Sequence, residues 1–397
     1  MVNSIIVTAH CKSTILRRLW YRKRKDNHPK NTSIHFDRMT FSPTTRENTS
    51  PPFWLSVALG GLVAVSLTAG VVLSTARSRI GPKKPSARPK PPRDIDQLEN
   101  WINTQEAKFT DIKPGNAKGI GWANAHHGRT PWAVVYLHGF SASRLETDPV
   151  SAQVALALGA NVFHARLAGH GRTTEALCTA SAQDWMADAL EALQIGQVLG
   201  EKVLVISCST GSTLATWLAL SSKGRNIAAH VFMSPNFGLR DKRAELIYSL
   251  WSKPLALALR TQKVGWVPAF PEEANAWTTP YPMRALLPMM ALLRHVRRSD
   301  LSQFKTPVLV LFSEDDQTVN PEKTHQVFAK FASPFKVIQK VSYSNAKGQH
   351  VLAGALRDPH AVSPIVSSIV NWVKALPATK KRAKRGQVPT PSRPNEG

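Results

Sequence analysis

Three residues of this 397-residue chain have the types and the order to carry out acyl transfer. The first is Ser209, in the stretch Ser207-Cys208-Ser209-Thr210-Gly211. An apolar run before it, Val203–Ser207, reads as a buried strand, and Ser212–Leu220 after it reads as a helix. A serine becomes a nucleophile when a tight strand-to-helix turn lifts its hydroxyl clear of the sheet, and small residues two positions either side permit that turn. Gly211 meets the requirement downstream. Ser207 stands upstream where the motif has glycine, and it is also small. By itself the pentapeptide fits an ordinary turn equally well, because serine and glycine are frequent after strands.

The partners of such a serine follow it in the order acid, then histidine. Asp316 comes 107 residues after Ser209, in Glu314-Asp315-Asp316 at the end of the apolar run Pro307–Phe312. An acid at the carboxyl end of a strand is where a doubly wound sheet presents its site. Asp316 is the first choice and Asp315 the second. The competing reading is that the three acids cap the next helix, although Asn320-Pro321 already makes a good helix start. His350 comes 34 residues later, after the strand candidate Phe335–Val341 and a glycine-containing loop. A lone loop histidine is usually solvated; behind a serine and an acid in this order it reads as the general base. The oxyanion of acyl transfer also needs donors. The strand ending in His138-Gly139-Phe140 offers the Phe140 amide, and Thr210, next to the serine, offers the second. His138 itself reads as structural.

The elements that must hold these residues alternate. Strand candidates are Trp132–Leu137, Asn161–Phe163, Val203–Ser207, His230–Met233, Pro307–Phe312 and Phe335–Val341. Helix candidates are Val150–Leu158, Gln183–Leu199, Ser212–Leu220, Pro321–Phe331 and Val362–Ala375. The strands are near-continuous Val, Ile, Leu and Phe, as in strands buried on both faces. The alternation predicts an α/β fold with a doubly wound, mostly parallel sheet. Residues 238–300 break the pattern. They read as helical pieces without a strand, rich in Trp, Leu and Met, and are the candidate for a helical cap inserted between two strands.

The segments "YLHGF", "RLAGHG", "QDWMADAL", "CSTGSTLA", "EDDQTV" and "GQHVLAG" occur in the order of an α/β-hydrolase. Over residues 130–375 the set resembles the monoacylglycerol lipase and small carboxylesterase branch, with its serine-aminopeptidase-like relatives. The resemblance implies the α/β-hydrolase fold and a Ser209–Asp316–His350 triad acting through an acyl-enzyme on carboxylic esters, acyl-glycerols or other lipid-like esters among them. It implies no metal or organic cofactor, and it makes His170 a structural residue of its loop. The departures are Ser207 for the first glycine of the elbow and Ser212 where another glycine often follows Gly211. They leave open a catalytically silent, membrane-tethered binding module. An amide, thioester or peptide hydrolase on the same triad is also open.

The net charge of +25 raises nucleic acid as a partner. Its distribution argues against specific binding, since 23 of the 51 Lys and Arg lie in 1–52, 77–93 and 380–397, outside the part that reads as folded. Three cysteines, Cys11, Cys178 and Cys208, make no disulfide framework, and no Cys/His cluster has metal-ligand spacing. Phe53–Leu73 carries no charge over 21 residues, enough for a helix to span a ~30 Å hydrocarbon core. The chain therefore divides into a basic N-terminal segment 1–52, a single-pass anchor 53–75, a Pro/basic linker 76–95, the hydrolase-like domain 96–375 and a basic tail 376–397. Arg38 and Arg46 before the span, against seven basic residues after it, place the domain in the cytoplasm. The run from Arg17 to Lys25 pulls the other way. A cleaved signal, with translation from Met39 and secretion of the domain, is the alternative. Nothing in the sequence speaks to the oligomeric state.

Overall fold

The computed structural model describes residues 84–242 and 262–377. Its strands are β1 (Gly119–Gly121), β2 (Thr130–Leu137), β3 (Asn161–His164), β4 (Gly200–Cys208), β5 (Ile227–Met233), β6 (Lys263–Val264), β7 (Tyr281–Pro282), β8 (Val308–Phe312) and β9 (Lys336–Lys340). Seven of them form one sheet in the order β1-β3-β2-β4-β5-β8-β9. All neighbours are parallel except the short edge strand β1, which runs antiparallel to β3. The helices are α1 (Leu98–Glu106), α2 (Val150–Ala157), α3 (Thr174–Thr179), α4 (Ala182–Leu199), α5 (Thr210–Leu220), α6 (Pro271–Ala276), α7 (Leu286–Arg298), α8 (Pro321–Lys330) and α9 (Val362–Lys374).

The period of two along each strand sorts the core into two layers. Val135, Leu137, Val203, Val205, Phe232 and Val310 face one side and pack against α1, α4, α5 and α7. Val134, Leu204, Ile206, Val231, Leu309 and Leu311 face the other and pack against α2 and α9. Both faces are covered, which is why the central strands read as unbroken apolar runs. The expectation fails at β9. It is the sheet's edge, half-exposed along its length, and Val337 is 43% accessible. α4 starts where Ser181 accepts from the Asp184 amide and Asp184 accepts from the Ser181 amide, a reciprocal capping box.

Two further expectations are corrected. The block 238–300 is not purely helical. Its described part holds the β6–β7 ribbon with α6 and α7, and Leu239 makes an antiparallel bridge to Val319. A two-residue strand is too short for periodicity to register. Ordered contact also begins before Ile95. The Ser86 amide donates to the Gln183 carbonyl at 3.1 Å, and Arg88 lies 3.3 Å from Asp188. Arg88, read as part of the Pro/basic linker, pairs with Asp184 and Asp188 on α4. The expected span Phe53–Leu73 lies outside the described residues. Among the described residues no helix is long and apolar enough to cross a membrane.

Candidate active site

The register of the sheet brings the ends of β2, β4, β5 and β8 together, with Ser207 level with Leu137 and Phe232, and Met233 level with Leu311. Ser209 follows β4 on a sharp turn with φ 51° and ψ −117°, conformational space that non-glycine residues rarely occupy. The turn is held from both sides. The Ser209 amide donates to the Met233 carbonyl at 3.0 Å, and the Ser209 carbonyl accepts from the Asn236 amide at 3.1 Å. α5 starts at Thr210, so the positive end of its dipole faces the Ser209 hydroxyl.

Gly211 is required here by space. A Cβ on it would lie 2.1 Å from the Leu137 carbonyl oxygen and 2.7 Å from that of His138, both backbone atoms. Gly211→Ala is expected to push α5 off the sheet, lowering Tm by several degrees and activity with it, checked by thermal denaturation. Ser207 fits without clash. It is fully buried, its hydroxyl lies 3.0 Å from that of Ser212, and the Ser212 hydroxyl also donates to the Ser207 carbonyl at 3.1 Å. The two departures from glycine therefore bond to each other. Ser207→Gly, which restores the common elbow residue, is expected to cost about 1–2 kcal/mol through the lost hydrogen bond and the freer backbone. The midpoint of urea unfolding measures it.

His350 Nε2 lies 2.9 Å from Ser209 Oγ, and its Nδ1 lies 2.8 Å from Asp316 Oδ2. Asp316 is buried, and its Oδ1 accepts from the amides of Thr318 at 2.8 Å and Val319 at 2.9 Å. Asp315, the second choice for the acid, is exposed and takes no part. The three acids do not cap α8 either, because the Asn320 side chain does so by accepting from the Glu322 amide. The His350 loop is tied down by Gln349, which donates to the Ser344 carbonyl at 2.7 Å and accepts from Ser313 at 3.2 Å. Among the described residues, the amides of Phe140 and Thr210 donate to no protein acceptor, so both remain available to a ligand oxygen.

His138 and His170 stand behind this site. Leu167 donates to His138 Nε2 at 3.0 Å, which leaves the Nδ1 proton for the Gly139 carbonyl at 2.9 Å. Burial lowers the pKa of His138 to about 4 and that of His170 well below the usual range, so both are neutral packing groups. His170 meets Phe140 and Trp185 edge-on. The loop that carries His170, Arg166–Gly171, rests on contacts that sequence reasoning missed. Arg166 makes a bidentate pair with Glu106 at 2.7 Å on each arm. The Ala168 amide donates to Asp188 at 2.6 Å. Glu106 stands in no motif, and Asp188 lies in the QDWMADAL segment, whose meeting with this loop only the fold reveals. Among the described residues no cluster of three His, Cys, Asp or Glu is arranged to hold a metal ion.

The profile of the Alpha/beta hydrolase family matches residues 134–362, more than half of the chain. The protein belongs to the alpha/beta hydrolase family. Many solved structures share its fold, the following two among them. One is of the metagenome-derived lipolytic enzymes LipS and LipT. It is 19% identical, with a TM-score of 0.54, over 66% of this chain and 99% of that one. The other is a soluble variant of monoglyceride lipase from Saccharomyces cerevisiae with a substrate analogue. It is 12% identical, with a TM-score of 0.51, over 64% of this chain and 90% of that one. No curated protein matches the chain.

Proposed function

We propose that the protein is a serine hydrolase of carboxylic esters, working through Ser209, His350 and Asp316. The observation that carries this reading is the unbroken relay from Ser209 Oγ through the His350 ring to Asp316, with contacts of 2.9 and 2.8 Å. His350 Nε2 takes the Ser209 proton as the oxygen attacks the ester carbonyl. Asp316 fixes the ring by accepting a hydrogen bond from its Nδ1–H and stabilises the imidazolium. The tetrahedral oxyanion is held by the amides of Phe140 and Thr210. His350 then gives its proton to the departing alcohol, which leaves an acyl-enzyme. Water, deprotonated by His350, attacks the acyl carbonyl and releases the acid and Ser209.

Lipid-like esters, acyl-glycerols among them, are the proposed substrates. Apolar packing around the oxyanion strand end supports this class, with Phe140 set among Leu177, Tyr281, Ala285 and Leu286. The chemistry named for the two similar structures, lipolysis and monoglyceride cleavage, points the same way. Residues 53–73 would tether the domain to a membrane, with the domain on the cytoplasmic face by the distribution of basic charge. A fluorophosphonate probe should label the wild-type protein at Ser209, located by peptide mapping. A panel of p-nitrophenyl and glycerol esters of graded chain length then reads the substrate class. Labelling at another residue, or no turnover of any ester, overturns the assignment. A reporter fused after Gly397 that is active only outside the cytoplasm would overturn the sidedness.

A further inference from the structure

A second carboxyl lies beside the triad with no part in the scheme above. Glu146, eight residues beyond His138, is 2% accessible. Its Oε1 accepts from the Gly139 amide at 2.6 Å and from the Tyr136 hydroxyl at 2.8 Å, and Tyr136 in turn accepts from Thr147 at 2.7 Å. Gly139 immediately precedes the Phe140 amide that faces the oxyanion. A Cβ on Gly139 would lie 2.9 Å from Glu146 Oε2 and 3.2 Å from the Ser209 Cβ, so the carboxyl and the nucleophile crowd the same face of that residue.

The groups facing Glu146 come from four elements. They are Tyr136 on β2, Cys208 on β4, His350 on the loop after β9, and Arg357 in the turn before α9. Arg357 is engaged by Glu273 at 2.6 Å, and among the described residues Glu146 has no ion-pair partner. We propose that Glu146 is a positioning residue of the oxyanion turn, fixing the Gly139 amide and acting through its charge on His350. This rests on the function proposed above. An ionised Glu146 favours the imidazolium that forms at His350 during acyl transfer. Burial raises its pKa to about 7, so the carboxyl titrates within the working range of a hydrolase.

The test is Glu146→Gln in the full chain, compared with wild type and Ser209→Ala. Glutamine keeps an acceptor for the Gly139 amide and removes the charge. The expected result is a kcat lowered roughly tenfold at nearly unchanged KM, with the acid limb of kcat/KM moved about half a unit to lower pH. Glu146→Ala, which also removes the acceptor, should lower kcat by roughly a hundredfold. A thermal arm reads burial alone. In the folded protein Glu146 holds its proton to about pH 7, above its unfolded value of 4.5, so its contribution falls as pH rises between these values. Glu146→Gln should flatten that part of the Tm profile. Two results would overturn the proposal. One is a variant matching wild type in both kcat and limb. The other is activity lost in proportion to Tm with the limb unmoved, which marks a structural role only. Wild type without Ser209-dependent turnover would instead fail the proposed function, and this one with it.

Discussion

Ser209→Ala is expected to lower kcat for ester hydrolysis by roughly 10⁴- to 10⁶-fold and to abolish fluorophosphonate labelling. The size follows from what the change removes. Alanine keeps the Cβ, so the turn at φ 51° and its bonds to Met233 and Asn236 stay as they are. The amides of Phe140 and Thr210 stay in place as well. What goes is the hydroxyl oxygen that lies 2.9 Å from His350 Nε2. Tm should move by no more than about 2 °C, because one hydroxyl contact is lost from a site that was already strained. Circular dichroism and labelling of the same preparation separate the chemical effect from a folding effect. Retained labelling in Ser209→Ala would place the nucleophile elsewhere.

Asp316→Asn should lower kcat by about 10⁴-fold with KM little changed. Asp316 Oδ1 accepts from the amides of Thr318 and Val319, so an asparagine must turn its oxygen to them. Its NH₂ then faces His350 Nδ1 at the distance now spanned by a 2.8 Å contact. That nitrogen can only accept from an NH₂, so the ring proton moves to Nε2 and faces Ser209. The base becomes a donor in the wrong tautomer. Asp315→Asn is the internal control. Asp315 is exposed, and its replacement should leave kcat within about twofold. A large loss in Asp315→Asn together with an active Asp316→Asn would reverse the choice of acid.

The alternation of strand and helix, and Ser209, Asp316 and His350 as candidates, were legible in one dimension. A buried parallel strand must be apolar throughout, and a helix after it shows the 3.6 period, so Val203–Leu220 announces strand, turn and helix together. Asp316 and His350 could be picked out as candidates because a parallel sheet delivers its strand ends to one edge, whatever lies between them. The choice between Asp315 and Asp316 was open because adjacent residues share every sequence signal. Only the turn that buries one and exposes the other separates them.

Other features had no sequence signal. Glu146 sits in a stretch with no motif, and its meeting with Gly139 depends on a turn that folds back on the end of β2. Glu106 and Arg166 lie 60 residues apart and pair because Leu98 and Ile102 of α1 share a core cluster with Ala165 and Leu167 after β3. Ser207 and Ser212 read as two separate departures and prove to be one hydrogen-bonded pair. Periodicity and chain order alone thus pointed to the class of fold and to a candidate set of Ser209, His350 and an acid at Asp316 or Asp315. The partners that hold those residues were decided by tertiary structure, because hydrogen bonds and ion pairs between distant segments depend on distance in space, which residue spacing does not encode.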